Sequence, residues 1–212
     1  MTISEIKIEI NKISEKYRKY LILFRIYNKN YFFVSGQDKN EDDMILLDNK
    51  KKILLSKDPT KLFEFLKINA DNLFDSTNFS EWVKEIQNLT KNQKNQFPSY
   101  CIFNFDLLIK SFFLNEPIDY FRIPRKSLKE FVDYINLIGD YAYQTDDKQI
   151  LRLRKEKNIK FLWDIYYNKY MWTKYLALPP KKIKQIDFDE AIFKKSFQKF
   201  LFLSLTKMNF ID

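Results

Sequence analysis

The apolar pattern of this chain changes along its length, and the change predicts an α+β fold. Near the N-terminus, runs of β-branched and aromatic residues are separated by turn-forming segments such as Asn28-Lys29-Asn30 and Asn49-Lys50-Lys51. Such runs are typical of short strands joined by tight turns. The four predicted strands are residues 20–27, 31–35, 44–48 and 52–56. Strands that follow one another in this way predict a small antiparallel sheet built from β-hairpins.

Helical spacing dominates the rest of the chain. Before the strands, Ile6, Ile10 and Ile13 recur at intervals that place them on one face of a helix. After the strands, Asp58-Pro59 is a helix start signal, because aspartate caps a helix well and proline suits its first turn. The predicted helices are residues 3–18, 59–70, 79–89, 106–114, 124–143, 147–172 (as one helix or two) and 187–208.

A length of 212 residues suits one domain that buries a substantial core. We therefore predict a single domain over residues 1–212, in which a mostly helical part packs with the smaller sheet. The polar, amide-rich segment 91–96 is the best candidate for an internal boundary. It divides the chain into a layer of sheet plus helices, residues 1–95, and a helical layer, residues 96–212.

The chain contains no histidine and one cysteine, and this excludes most catalytic and metal-binding classes. A Ser-His-Asp triad, a Cys-His pair and zinc bound by Cys and His all require residues that are missing. Only carboxylate, lysine or tyrosine chemistry remains. We expect no enzymatic activity and no cofactor.

The location of the protein is predicted from what its sequence lacks. A single cysteine excludes an intramolecular disulfide and fits a reducing compartment. No stretch has the composition of a signal peptide or a membrane span. We expect a cytoplasmic protein without membrane contact.

The net charge of +9 lies entirely in the last third of the chain. Residues 148–212 hold 15 Lys and Arg against 6 Asp and Glu, whereas residues 1–147 hold 22 of each. Within this part, residues 148–160 are rich in Lys and Arg, and we call them the basic run. Its candidate contact residues are Arg152, Arg154, Lys155 and Lys157. At helical spacing they could follow phosphates, contact a protein partner, or form a solvated surface.

An acidic segment, Asp38, Glu41, Asp42 and Asp43, lies between the second and third predicted strands. Clustered carboxylates can bind Mg²⁺ or Ca²⁺, contact a basic protein, or remain a solvated loop. The spacing of an EF-hand loop is missing.

Two further groups favour structural roles. Asp187 with Glu190 is predicted to cap the last helix, and Asp146-Asp147 to cap the basic one. The aromatic residues from Trp163 to Tyr175 follow helical spacing, which favours a core position. Stacking on the bases of single-stranded nucleic acid is their functional alternative.

Two motifs resemble signatures of immunity proteins from contact-dependent growth inhibition and related polymorphic toxin systems. In the segment Phe131 to Ala142, Asn136, Leu137, Asp140 and Ala142 match a helix that reads roughly Leu-Leu-Asn-Phe-Trp-Asn-Leu-Phe-x-Asp-x-Ala in that family. Ile135 stands in place of the family's tryptophan.

The second motif is Tyr167-Asn168-Lys169-Tyr170-Met171-Trp172, followed by Leu178-Pro179. It is similar to a family run of Tyr-Asp-Lys-Leu-Phe-Trp with a Leu-Pro shortly after it. The matching positions are Tyr167, Lys169, Trp172, Leu178 and Pro179.

The resemblance implies a non-enzymatic, cytoplasmic antidote that binds and blocks the C-terminal domain of a delivered toxin, often a nuclease. The partner is then the cognate toxin domain, and nucleic acid binds only weakly and without specificity. Within this hypothesis the motif residues Asn136, Asp140, Tyr167, Lys169, Trp172 and Pro179 are expected to be scaffold. The alternative function is nucleic-acid binding through the basic C-terminal region.

Overall fold

The computed structural model describes residues 2–38, 40–69, 78–90, 99–114, 122–172 and 187–211. It confirms the α+β class, with the strands concentrated near the N-terminus and a mostly helical C-terminal part. The contacts divide the chain into two compact units. The first comprises residues 1–103 and 207–212, and the second comprises residues 104–206.

The observed units differ from the predicted layers in two respects. Their boundary lies between residues 103 and 104 instead of 95 and 96, and the last residues of the chain belong to the first unit. The predicted break at residues 91–96 lies outside the described residues. The single domain over residues 1–212 stays a prediction.

The first unit consists of three helices and a six-stranded sheet within the described residues. The helices are α1 (Ile3–Tyr17), α2 (Pro59–Asn69) and α3 (Phe79–Thr90). The strands are β1 (Lys19–Ile26), β2 (Lys29–Gln37), β3 (Asp43–Ile45), β4 (Ile53–Ser56), β5 (Ile102–Asn104) and β6 (Met208–Ile211). Their order is β5-β1-β2-β4-β6, with β3 paired to β2.

The four predicted strands pair antiparallel, as expected, and the sheet is mixed because an unpredicted strand, β6, joins it in parallel. β6 lies parallel to β4, with Ile53 opposite Met208 and Ser56 opposite Ile211. The sequence analysis assigned Met208 to the end of the last helix, but that helix ends at Thr206. Four residues after a long helix carry too weak a local signal to reveal a strand that pairs with one about 150 residues earlier.

The β1–β2 hairpin turns one residue earlier than predicted. Ile26 lies opposite Lys29, so the loop is Tyr27-Asn28. Both residues have positive φ, 51° and 57°. Such a two-residue turn suits the right-handed twist of the flanking strands. Asn28 favours this backbone conformation. Tyr27, which is exposed, adopts it because the register of the two strands leaves a two-residue loop at this position.

The core of the first unit lies between the sheet and its helices. The predicted face of α1 supplies Ile6, Ile10 and Ile13. Trp82 from α3 is fully buried, and its ring packs on Phe63 and Phe79, with ring centroids 5.6 Å apart in both pairs. The indole Nε1 of Trp82 has no hydrogen-bond partner among the described residues.

The second unit is helical. It contains α4 (Phe105–Ile109) continued by a π-helical turn (Lys110–Leu114), α5 (Arg125–Thr145), α6 (Lys148–Arg154), α7 (Lys157–Tyr166) continued by a second π-helical turn (Tyr167–Trp172), and α8 (Glu190–Thr206). Helix α5 therefore runs two residues beyond its predicted end. The segment predicted as one helix or two is interrupted at Lys155-Glu156.

Phenylalanine rings fill the centre of this unit. Phe112, Phe131, Phe193 and Phe197 are all fully buried. Their centroids lie between 5.0 and 6.1 Å apart in the pairs that contact one another. The spacing is that of favourable aromatic pairs. These ring contacts hold α5 and α8 together, with the π-helical turn after α4 between them.

The helix cap predicted for α6 is observed, whereas the cap of α8 differs from the prediction. Asp147 accepts hydrogen bonds from the amides of Gln149 and Ile150, both at 3.1 Å, and so caps α6 as predicted. Asp189 caps α8, since its Oδ1 accepts from the Ile192 amide at 2.9 Å. The prediction that Asp187 caps this helix was wrong, because the helix begins at Glu190 and Asp189 directly precedes it.

We expect Trp82→Ala to lower the free energy of unfolding by roughly 3–5 kcal/mol, because it empties a fully buried site. Trp82→Phe should cost clearly less, because it also removes an indole N–H that is buried without a partner. Chemical denaturation of both variants measures the difference. Equal losses would contradict the assignment of Nε1 as an unpaired donor.

Candidate interaction site

A polar stripe along α5 forms one side of the candidate site. Arg125, Lys129, Asp133, Asn136 and Asp140 follow one another at intervals of three or four residues, so they share one face of the helix. Three of these side chains are half-buried, from Asp133 to Asp140. The polar stripe thus lies at the border between the core and the solvent.

Asn136 connects this stripe to the next two helices. Its Oδ1 accepts hydrogen bonds from Trp163 Nε1 at 2.9 Å and from Arg154 Nη2 at 3.2 Å. Its Nδ2 donates to the hydroxyl of Tyr167 at 3.1 Å. One half-buried amide therefore joins α5, the last residue of α6, and α7 with the turn that follows it. This supports the expected scaffold role of Asn136 and Tyr167.

Arg154 lies flat against α5. An ideal Cβ on Gly139 would be 2.8 Å from Arg154 Cζ and Nη1. Real Cβ atoms essentially never come so close, so the guanidinium needs a glycine beneath it. The ring of Tyr143 lies on the guanidinium from another side, with Cζ 5.6 Å from the ring centroid. We call Asn136, Gly139, Tyr143 and Arg154 the arginine seat.

Aromatic rings continue the site along α7. Trp163 and Tyr167 stack with their centroids 3.9 Å apart, and Trp172 lies 5.8 Å from Tyr167. The rings of Tyr166 and Tyr170 are also 5.8 Å apart. The second motif, from Tyr167 to Trp172, forms the π-helical turn. Turns of this kind are rare and often lie at functional sites.

The expectation that this aromatic group is core was wrong for most of the residues that the structure describes. Tyr166 is buried, but Trp163, Tyr167, Tyr170 and Trp172 are only half-buried. Helical spacing identifies the face on which a ring lies, but it does not determine how much of the ring a neighbouring helix covers. Tyr175 and Pro179 lie outside the described residues.

The other motif residues also contact neighbours. Lys169 lies with its Nζ 5.5 Å from the ring centroid of Tyr170. Arg125 approaches the same ring at 5.2 Å. Asp140 is half-buried and engaged with a neighbour. Of the matching positions, Asn136, Tyr167 and Trp172 come together where α7 and the turn after it pack against α5.

Lys129 and Asp133 form an ion pair on the polar stripe. Loss of solvent around the Asp133 carboxylate raises its pKa, and the ammonium of Lys129 only partly opposes this effect. Burial is the largest single effect on the pKa of Lys129 and acts to lower it, but the hydrogen bond to Asp133 and the attraction of nearby negative charge together raise that pKa. Glu130 beside them likewise has a raised pKa because of burial.

The basic run does not form one continuous stripe. Arg152 and Lys155 are exposed at the end of α6, whereas Arg154 turns onto α5. Glu156 then caps α7 by accepting from the amides of Asn158 and Ile159. Lys157 donates to the carbonyl of Asp187 at 3.3 Å. The helical spacing expected across these four residues assumed one continuous helix, but α6 ends at Arg154.

The acidic segment folds back on itself. The carboxylate of Asp38 accepts from the amides of Asn40 and Asp42, at 2.8 and 3.0 Å. Glu41 pairs with Arg18 at 2.5 Å, and Asp43 accepts from Gln37 Nε2 at 3.2 Å. Within the described ranges, no group of three or more His, Cys, Asp and Glu side chains could hold a metal ion, this segment included. Its carboxylates mainly shape the loop between β2 and β3.

Gly139 and Tyr143 are the site residues that sequence reasoning missed. Gly139 is one of only two glycines in the chain, and it lies in the middle of a strongly helical pattern. A glycine there weakens a helix, so its presence indicates a close approach by another group. That signal was available, but it does not identify Arg154 as the group that approaches.

Comparisons with known proteins inform the fold and leave the function open. No protein-family model matches the chain, and no curated protein matches it. Among solved structures, the chain is similar to the C-terminal domain of SatS, from the crystal structure of that domain in complex with bromine. The TM-score is 0.56 at 13% sequence identity, over 93% of this chain and 96% of that domain. At this identity the likeness concerns the fold alone.

Helices that could cross a membrane are missing from the described part of the chain. None of its helices combines the necessary length with sufficient apolar character.

We predict that Asn136→Ala lowers the free energy of unfolding by about 1–3 kcal/mol, because it leaves three half-buried polar groups without their partner. Asn136→Asp is the matched control, since a carboxylate still accepts from Trp163 and Arg154. Thermal and urea denaturation should show a smaller loss for the aspartate variant.

Trp172→Ala should lower the free energy of unfolding by less than the removal of a buried aromatic residue does, because Trp172 is half-buried.

Asp133 gives a pH-dependent prediction. A raised folded pKa means that the folded protein binds this proton more tightly than the unfolded chain does. Its contribution to stability is therefore greatest at low pH and falls as the pH rises through the folded pKa. The stability of the wild type minus that of Asp133→Asn should fall as the pH rises from below 3.8, the ordinary pKa, towards neutrality. A difference that rises instead would show that the ion pair with Lys129 dominates.

Proposed function

We propose that this protein is a cytoplasmic immunity protein that binds a cognate bacterial toxin domain and neutralises it. Inhibition results from stoichiometric binding that covers the toxin's substrate groove, and the protein itself catalyses no reaction. The toxin domain is a nuclease or another enzyme that acts inside the cell.

The observation that carries this proposal is the position of the two resembling motifs. They are about thirty residues apart in the sequence, yet Asn136 of the first donates directly to Tyr167 of the second. The surface around this bond combines half-buried tryptophan, tyrosine and arginine side chains. These residue types dominate the energetic centres of protein–protein interfaces.

The position of the charges also supports a protein partner. Some basic side chains of the last third form ion pairs within the protein. Lys160 pairs with Asp164 at 2.8 Å, and Lys194 pairs with Glu190 at 2.8 Å. Exposed lysines that remain raise the association rate with an acidic partner more than they raise affinity. Nucleic-acid binding is the alternative function, and the exposed cations Arg152 and Lys155 are what favour it.

Co-expression tests the proposal directly. The probe is the C-terminal domain of any large secreted protein that a gene neighbouring this one is found to encode. We expect that domain to kill cells when it is expressed alone and to be tolerated together with this protein. The purified pair should elute as one stoichiometric complex in size-exclusion chromatography. Killing that continues despite full expression of soluble antidote would overturn the proposal.

Salt dependence separates the two functions. A nucleic-acid binder loses roughly 0.9 log units of affinity per log unit of salt for each duplex phosphate that it neutralises. We expect only weak, sequence-indifferent binding to a duplex at physiological salt, which Arg152→Glu with Lys155→Glu should abolish without loss of protection from the toxin. Tight, sequence-selective binding at that salt would favour the alternative.

A further inference from the structure

Arg154 carries a charge that no carboxylate neutralises among the described residues. Its guanidinium has five N–H donors. One of its nitrogens, Nη2, donates to Asn136 Oδ1. No ion pair joins it to an acidic side chain within the described ranges. Most buried or half-buried arginines have such a partner, because an unpaired charge is costly to remove from water.

The arginine seat holds this guanidinium in a fixed place. Gly139 provides the flat surface below it, Asn136 anchors one nitrogen, and Tyr143 lies against its face. The side chain is half-buried, and Tyr143 is 60% exposed, so the seat borders the solvent. An arginine fixed in this way loses little further conformational freedom on binding. Its remaining donors can meet an incoming acceptor at the surface.

We propose that the arginine seat binds a carboxylate side chain, an aspartate or glutamate, from a protein partner. The remaining donors of Arg154 form two parallel N–H···O bonds to its two oxygens, as the planar fork of a guanidinium favours. The identity of that partner as a toxin domain rests on the proposed function, whereas the carboxylate site itself does not.

The surroundings favour a carboxylate over the phosphates of a nucleic acid. Asp140 lies one turn from Asn136 on α5, and its negative charge opposes a run of phosphates more than it opposes a single carboxylate. Arg152 and Lys155 are two residues and one residue away from Arg154 in the sequence, and residues at these spacings on a helix do not face the same side. A track of neighbouring cations, which nucleic acid requires, is therefore not formed at the seat.

Nuclear magnetic resonance of protein labelled with ¹⁵N-arginine tests the site itself. Acetate is the probe, and exposed Arg152 is the internal control because it lies on the same helix without the seat. We expect the Nε–Hε signal of Arg154 to shift and saturate at an acetate concentration at least about tenfold below that for Arg152, as charge-assisted bidentate bonds imply. Equal responses of the two arginines would overturn the proposal.

Gly139→Ala is the decisive variant. Its methyl group must displace the guanidinium, which is the free end of a flexible side chain, while alanine favours the helix. We expect stability to be unchanged or slightly raised and the preference of Arg154 for acetate over Arg152 to disappear. Arg154→Lys keeps the charge without the fork and should weaken binding in the same way. A Gly139→Ala protein that retains the preference would contradict the proposed seat.

Titrations with phosphate and with a short single-stranded RNA test whether the seat binds phosphate groups instead of a carboxylate. If either shifts Arg154 at a lower concentration than acetate does, the seat is a phosphate site and the proposal fails. With the toxin domain of the co-expression test, Gly139→Ala should weaken the complex at least about tenfold, which corresponds to the loss of charge-assisted bonds. A complex of unchanged affinity would refute the seat but leave the immunity function standing. Acetate binding at Arg154 without any toxin complex would support the seat and refute the immunity function.

Discussion

The amide of Asn136 is the contact on which the candidate site depends. Its Nδ2 donates to Tyr167, and its Oδ1 accepts from both Trp163 and Arg154. Without it, the tryptophan and arginine donors would face a half-buried surface with no acceptor, and each would carry a desolvation cost. The phenylalanine core brings α5 and α8 together without directional bonds, whereas Asn136 fixes the orientation of polar groups at the border of that core.

A net charge is a poor guide to a binding surface in this protein. The basic run looks continuous in the sequence, but three physical demands divide it. Arg154 donates from Nη2 to Asn136 on α5, Lys157 binds a backbone carbonyl, and Glu156 caps the next helix. Arg152, Lys155 and Lys157 are exposed, whereas Arg154 is half-buried. Its residue type and spacing do not distinguish it from the other three in the sequence.

Local signals predicted the elements well, and non-local contacts explain the errors. Asp58 and Asp147 precede helices as expected, because a cap requires only two or three neighbouring residues. β6 escaped prediction because its partner strand lies far away in the sequence. The motif helix α5 was predicted nearly to its ends, and the expectation that Asn136 is structural stays a prediction. Its three partners could not be predicted, since they depend on how α6 and α7 pack across α5.

The contrast between Gly139 and the lysines suggests where specificity resides. An exposed lysine gives up side-chain freedom whenever it pairs, and that loss offsets much of the Coulomb gain. Arg154 has already given up that freedom on folding, at the cost of a glycine inside a helix, which is about 1 kcal/mol less favourable there than alanine. A fold that accepts this cost obtains a rigid donor pair whose position is set by shape. Such a site can distinguish partners by the placement of a single carboxylate, which a field of solvated charge cannot do.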